Sequence, residues 1–154
     1  MKWTNDERRD SMFLGEHEHT LDEKGRLTLP AKFRDSFPEG LVLSRGLDGC
    51  VNAYAKANWA ELAARLAALD SLSRDERMIQ RHFFSGAAEV TPDKQGRVMI
   101  PAALANHAGL ERDVVVAGVH DHLEIWDRAA WRAQIADVEG RAEDVAERLA
   151  SKRD

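Results

Sequence analysis

The sequence predicts an α+β fold, mainly β, built from two copies of one small unit with helices on its flanks. Three observations carry this prediction. DEKGRLTLPAKFR, from Asp22 to Arg34, returns as DKQGRVMIPAALA from Asp93 to Ala105, with Asp22, Gly25, Arg26 and Pro30 matched by Asp93, Gly96, Arg97 and Pro101 at a constant offset of 71. Short apolar runs of strand length lie at matching places in both copies. Trp59 returns as Trp131 at an offset of 72, so almost no insertion separates the copies.

The elements follow in order. In each copy an Asp-to-Gly turn leads into an apolar run, Leu27-Thr28-Leu29 or Val98-Met99-Ile100, and a proline then opens a short helix. Gly109 closes the second of these helices. Strands are expected at Leu41 to Leu43 and Cys50 to Tyr54, then at Val114 to Val116 and His122 to Trp126. Asn58 and Asp127 stand where the N-caps of the closing helices belong, and Glu61, three residues after Asn58, suits a capping box. Between the copies, Leu62, Leu66 and Leu69 give one apolar helix face, and Ser73 with Glu76 starts a further helix holding Met78, Ile79 and Phe83. From Asp137 onward six acids and four bases predict a frayed, solvated helix. The expected division is an N-terminal extension (residues 1–15), repeat 1 (16–58), a helical spacer (59–86), repeat 2 (87–130) and a C-terminal helix with a charged tail (131–154).

Composition bounds the function. A chain of 154 residues, 44% hydrophobic and 6% aromatic, describes an ordinary globular protein of one domain or two small ones. One cysteine, Cys50, excludes an internal disulfide, so the cytoplasm is the default compartment. The longest apolar run, around Val114 to Val119, is far short of the roughly 20 residues that cross a bilayer, and Met1 to Met12 is too polar for a secretion signal. A net charge of −5 argues weakly against nucleic acid, but a local patch outweighs the average.

Such a patch is present. From Asp22 to Arg34 there are four bases against two acids. Asp22 and Asp93 suit side-chain acceptance from backbone N–H groups two residues on, and Gly25 and Gly96 permit the positive φ of a tight turn. Lys24, Arg26, Lys94 and Arg97 then project from or beside a rigid turn, with Lys32 and Arg34 on the adjoining helix. Arginine suits both bidentate pairing with guanine and phosphate gripping. The plainer reading is that Asp22 pairs with Arg26, and Asp93 with Arg97, for structure alone. Spacing leaves both readings open, and duplication favours a repetitive anion such as DNA.

Other constellations are weaker. His17 with His19, and His120 with His122, have an alternate spacing that invites zinc, but no third ligand stands at a fixed distance, so surface or interface histidines are the plainer reading and neither metal nor cofactor is expected. Cys50 reads as buried packing. Trp59, Trp126 and Trp131 read as anchors for helices. Arg74, Arg77 and Arg81 share a helical stripe that suits phosphates, solvent or a subunit contact equally. No nucleophile or phosphate loop appears, which argues against an enzyme.

Four segments together, MFLGEHEHTLDEKGRLTLPAKFR, LSRGLDGCVNAY, GAAEVTPDKQGRVMIPAAL and VVVAGVHDHLEIWDRAAW, resemble the MraZ family of bacterial transcriptional regulators over about Met12 to Trp131. The resemblance implies two SpoVT/AbrB-like swapped-hairpin half-barrels forming a pseudo-symmetric barrel with flanking helices, and several chains closing into a homo-oligomeric ring. It implies a cytoplasmic, nucleoid-associated protein that binds double-stranded DNA at short G-rich direct repeats in the promoter of the division and cell-wall gene cluster, with autorepression. The arginine of the DxxxR turn is the expected DNA contact, carried here by Arg26 and Arg97, with Lys24 and Lys94 as phosphate contacts beside them. Two departures stand out. The second copy has Ala103 and Ala105 where the first has Lys32 and Arg34, so the first turn is expected to contribute more, and Met1 to Ser11 precede the usual family start. The alternative is an antitoxin-like or regulatory protein-interaction module of the same fold, with the charged tail after Asp137 as its binding segment.

Overall fold

A computed structural model describes residues 12–153; of the extension expected over residues 1–15, the part before Met12 lies outside the described residues. Eight strands and four α-helices follow in the order β1 (Glu16–Thr20), β2 (Arg26–Thr28), a 3-10 helix (Ala31–Ser36), β3 (Leu41–Arg45), β4 (Val51–Ala55), α1 (Lys56–Ala67), α2 (Arg74–Phe84), β5 (Ala88–Val90), β6 (Arg97–Met99), α3 (Ala102–His107), β7 (Asp113–Gly118), β8 (Leu123–Asp127) and α4 (Arg128–Arg153). This is the expected α+β, mainly β architecture.

The strands form a six-stranded antiparallel sheet in the order β1-β7-β8-β4-β3-β5 and a two-stranded ribbon of β2 with β6. Exchanging each strand for its counterpart in the other repeat leaves this order unchanged, which is the signature of a pseudo-twofold axis. The axis passes between β4 and β8 at the facing pair Asn52 and Glu124, and through the ribbon at the facing pair Leu27 and Val98. Hairpins are swapped: β1 of the first repeat pairs with β7 of the second, and β5 of the second pairs with β3 of the first. Backbone pairing therefore makes one sheet and one ribbon rather than a continuous ring of strands, and the two layers meet over a single apolar core.

That core explains the alternation in the sequence. Leu27 and Val98 from the ribbon are fully buried against Leu43, Val51, Val116, Leu123 and Ile125 of the sheet, each 0–1% exposed. Side chains of this size stabilise by about 1.5–3 kcal/mol each when fully buried. The opposite face of the sheet is covered as well. On it, Trp59 of α1 packs on Tyr54 of β4, and Trp131 of α4 packs on Trp126 of β8, in both cases with ring centroids 5.7 Å apart at 58°. Trp131 also donates through Nε1 to the Glu16 carboxylate of β1 at 2.9 Å.

Helix termini agree in part with the local signals. Ser73 caps α2 by accepting from the Glu76 N–H, Asp127 caps α4 by accepting from the Ala130 N–H, and Gly109 follows α3 at φ +63°. Asn58 is not a cap. α1 begins at Lys56, and the Asn58 amide instead donates to the Asp121 carbonyl in the other repeat at 2.8 Å, a tertiary partner that overrides the local capping pattern. Of the expected apolar helix face only Leu66 is buried, Leu69 lies beyond the end of α1, and Met78 and Ile79 of α2 are exposed. The C-terminal segment is not frayed: α4 runs unbroken to Arg153 and is solvated along its distal half.

Beside the axis, His122 lies between Asp121 (Nδ1, 2.7 Å) and Glu124 (Nε2, 3.3 Å) and stacks on Tyr54, while the Trp126 indole also donates to Glu124. Burial pushes the His122 pKa down, but its hydrogen bonds to Glu124 and Asp121 outweigh burial and hold it above its ordinary value. A group raised in the folded state contributes stability at low pH that disappears as pH rises through the folded pKa. The melting temperature is accordingly expected to fall as pH rises from about 6 to 8, near and above the ordinary histidine value. In His122→Gln the slope over that window should flatten; an unchanged slope would assign it to another group.

Candidate nucleic-acid interface

The two turns are built alike from adjacent residues. In the first, the Asp22 carboxylate accepts from the Lys24 N–H and the Arg26 N–H, each at 2.9 Å, and Gly25 at φ +78° lets the chain reverse. In the second, Asp93 accepts from the N–H groups of Gln95 and Arg97, again at 2.9 Å, with Gly96 at φ +76°. Both carboxylates are held below the usual range, chiefly by the backbone N–H of the arginine that follows.

Each arginine then folds back on its own aspartate. Arg26 Nε lies 2.7 Å from Asp22 Oδ2, and Arg97 Nε lies 2.7 Å from Asp93 Oδ2. The pairing expected on the structural reading is therefore present in both turns. It occupies Nε only: among the described residues neither arginine donates a hydrogen bond through Nη1 or Nη2. The aspartate thus orients the guanidinium while its two terminal amino groups stay available as a planar pair of donors.

The ribbon places the two arginines together. Arg26 faces Met99 and Thr28 faces Arg97 across the β2–β6 ladder, while Leu27 and Val98 between them point into the core. Alternation along the strands therefore puts Arg26, Thr28, Arg97 and Met99 on one outward face. Arg26 and Arg97 stand in the diagonal relation that separates them by about 7–8 Å. That is close to two base steps along one DNA strand, at about 3.4 Å each. The turns are also tied to each other, because the Leu29 N–H donates to the Gly96 carbonyl at 2.9 Å and the Ile100 N–H donates to the Gly25 carbonyl at 3.1 Å.

The four other cations expected near these turns are not equivalent. Lys24 and Lys94 are exposed, but Lys24 matches Gln95 in the repeat whereas Lys94 matches Glu23. Arg34 donates from Nε to the Leu29 carbonyl at 3.0 Å and packs on Gly96, the glycine of the second turn. Antiparallel pairing of β2 with β6 brings the end of β2 against the second turn, so Arg34 stands beside the turn of repeat 2 rather than that of repeat 1. Lys32 lies elsewhere, with Nζ 5.1 Å from the Phe33 ring centroid. The surroundings of Gly25 are different: Met99 and the Ile100 backbone are the nearest groups.

This asymmetry predicts a difference between two glycine substitutions. Gly25→Ala and Gly96→Ala both force a side chain onto positive φ, a cost of about 1–2 kcal/mol. Only at Gly96 would the new methyl also meet Arg34, at 2.8 Å from Nε, and displace its bond to Leu29. Gly96→Ala should lower the melting temperature further than Gly25→Ala. Equal shifts in thermal melts would show that the Arg34 contact contributes nothing.

The remaining candidates fall away from this face. His17 packs edge-on against Phe33, and His122 belongs to the cluster beside the axis. Among the described residues no group of three or more His, Cys, Asp or Glu could hold a metal ion. Cys50 is buried, and burial pushes its thiol up to about 12, where it is inert. Arg77 donates to the Ser71 carbonyl, which ties that part of the α2 stripe to the α1–α2 loop. Among the described residues no helix is long and apolar enough to cross a membrane.

Two features of this face escaped the sequence reading. Thr28 and Met99, at equivalent places in the repeat, share the outward face with the arginines. The signal was available, since each is one residue from a fully buried position on a strand, but its reading needed the register.

Comparison with known proteins agrees with the two-copy organisation. The family model described as "MraZ protein, putative antitoxin-like" matches twice, over residues 12–82 and 83–153. The chain is 45% identical to the "Transcriptional regulator MraZ" of Acetivibrio thermocellus over 90% of its own length and 97% of that protein's. It is 46% identical to proteins of the same name from Heliobacterium modesticaldum, covering 90% of this chain and 96% of that one, and from Lactiplantibacillus plantarum, covering 90% and 98%. With its repeat, its swapped hairpins and these relatives in agreement, the chain belongs to the MraZ family, which is a family of transcriptional regulators and not of enzymes.

Proposed function

We propose that this protein is a sequence-specific DNA-binding transcriptional regulator that reads G-rich direct repeats in its own promoter with Arg26 and Arg97. One observation carries the reading: both arginines stand on the same outward face of a two-stranded ribbon, each oriented by an aspartate through Nε with its terminal amino groups available. A two-stranded ribbon fits the major groove, and an arginine fork matches O6 and N7 of guanine. Lys24, Lys94 and Arg34 supply phosphate contacts around the readers, and Lys32, away from the turns, supplies a more distant one. Because Arg34 packs on Gly96, the second turn contributes at least as much as the first.

One subunit with two arginine readers makes few base contacts, so useful affinity comes from a ring-shaped homo-oligomer engaging several DNA repeats at once. The regulator acts in the cytoplasm, at the nucleoid, as the autorepressor of the division and cell-wall gene cluster. Mobility-shift titration on this gene's own upstream DNA tests the reading. Affinity should rise steeply from one repeat to three at fixed salt. If one repeat binds as tightly as three in tandem, the multivalent arrangement is wrong.

A second reading, an antitoxin-like interaction module, has one observation in its favour. Val138 and Leu149 are exposed on the distal part of α4, with Ala142 and Val145 between them at helical spacing. Removing residues 137–153 separates the two: the DNA reading expects operator contacts to survive in the ribbon, whereas the interaction reading expects loss of a protein partner.

A further inference from the structure

We propose that Met99 is a specificity-determining residue that packs on the C5-methyl group of a thymine next to the guanine read by Arg26. This inference rests on the DNA-binding reading above.

Met99 is 47% exposed on a strand whose neighbouring position, Val98, is fully buried. It directly faces Arg26 across the ribbon, on the same outward side, and its sulfur lies against Gly25 of the first turn. This unbranched thioether, half in water, stands on a face otherwise made of two arginines and a threonine. In the major groove the thymine methyl is the one apolar feature that base edges present, and apolar side chains are what recognise it. Methionine suits that contact, since its flexible chain and polarizable sulfur adapt to a neighbouring surface.

The repeat makes the point sharper. The residue equivalent to Met99 is Thr28, which faces Arg97 and stands by the second turn. Each arginine therefore has a different companion: Met99 beside Arg26, Thr28 beside Arg97. The second reader also has Arg34 packed on its glycine, whereas the first does not. The two half-sites under one subunit are thus read unequally, the first by an arginine beside a long thioether and the second by an arginine beside a short threonine.

The test uses the full chain and its own upstream DNA, with each thymine of the operator replaced singly by deoxyuridine, which removes the methyl and nothing else. Wild type should lose about fourfold in affinity at one position per repeat, the scale of one buried methyl group. Met99→Ser removes the apolar chain at an exposed strand position, so it preserves the fold, and it should bind the thymine and deoxyuridine operators equally. Arg26→Ala on the same DNA separates this proposal from its foundation. If Arg26→Ala loses binding while wild type fails to distinguish thymine from deoxyuridine anywhere, Met99 is not a reader and the proposal falls alone. If Met99→Ser keeps the wild-type discrimination at the same position, another group reads the methyl and the proposal falls as well. If Arg26→Ala binds as wild type does, the DNA reading of this turn fails first, and the proposal with it.

Discussion

Replacing Arg26 and Arg97 together by alanine is expected to abolish sequence-specific DNA binding and to leave the melting temperature nearly unchanged. Each lost bidentate guanine contact costs about 1–3 kcal/mol, so the pair costs roughly 2–6 kcal/mol per subunit, from about thirtyfold to more than ten-thousandfold in affinity. The structural loss is small by comparison. Both Asp–Arg pairs are solvent-accessible, with arginine side chains 26% and 30% exposed, and pairs of this kind are worth about 0–1 kcal/mol. Most of the turn's order survives without them, because the aspartates hold it through backbone N–H groups.

The single substitutions should be unequal, with Arg97→Ala at least as damaging as Arg26→Ala, since only the second turn has Arg34 packed against its glycine. Arg26→Lys keeps the charge but loses the fork, so it should retain non-specific, salt-sensitive binding and lose preference for the operator. The structural alternative forecasts the reverse pattern. If pairing were the whole role of these arginines, Asp22→Ala and Arg26→Ala would lower the melting temperature alike while operator affinity held. A double variant that melts like wild type and binds its operator at wild-type affinity would remove these turns from the interface.

How legible all this was in the sequence depended on range. The turns were legible because their chemistry is local: Asp22, Gly25 and Arg26 lie within five residues, and the bonds among them obey rules that hold on any surface. The strands were legible from their apolar runs for the same reason. Partner choice was legible only through the family resemblance, which implied swapped hairpins. Glu16 pairs opposite Ala117 and Leu41 opposite Val90, and no linear pattern states that an outer strand will leave its own repeat. Pairing across the repeats in the β2–β6 ribbon and between β4 and β8 likewise set Arg34 beside the second turn and gave Asn58 a cross-repeat bond in place of a cap.

The unbroken course of α4 was more nearly legible. In the first repeat the helical segment breaks where Asp70 accepts from the Leu72 N–H and Ser73 caps the next helix. At an offset of 72 the second repeat has Ala142 and Val145 in those places, so the groups that stop the helix are missing and it continues.

The swap also predicts that half of this protein will not fold as a monomer. Within the first repeat the β3–β4 hairpin is the only strand pair, joined by a single bridge between Leu21 and Leu27, whereas β1, β2 and the outer edge of β4 all find their partners, β7, β6 and β8, in the second repeat. An isolated hairpin is marginal in water, and the segment 12–85 would expose Leu27, Leu43 and Val51, which the whole chain buries completely. The missing partners are pseudo-symmetric copies of its own strands, and β2 in particular faces its counterpart residue for residue about Leu27 and Val98. The isolated segment should therefore be unfolded when dilute and gain structure only by pairing with a second copy, so that its melting temperature rises with concentration. Circular dichroism over a hundredfold dilution, with light scattering on the same samples, measures this directly. A segment that stays monomeric and melts cooperatively at a concentration-independent temperature would show that each repeat carries its own core, and that the exchanged hairpins are not what holds the two halves together.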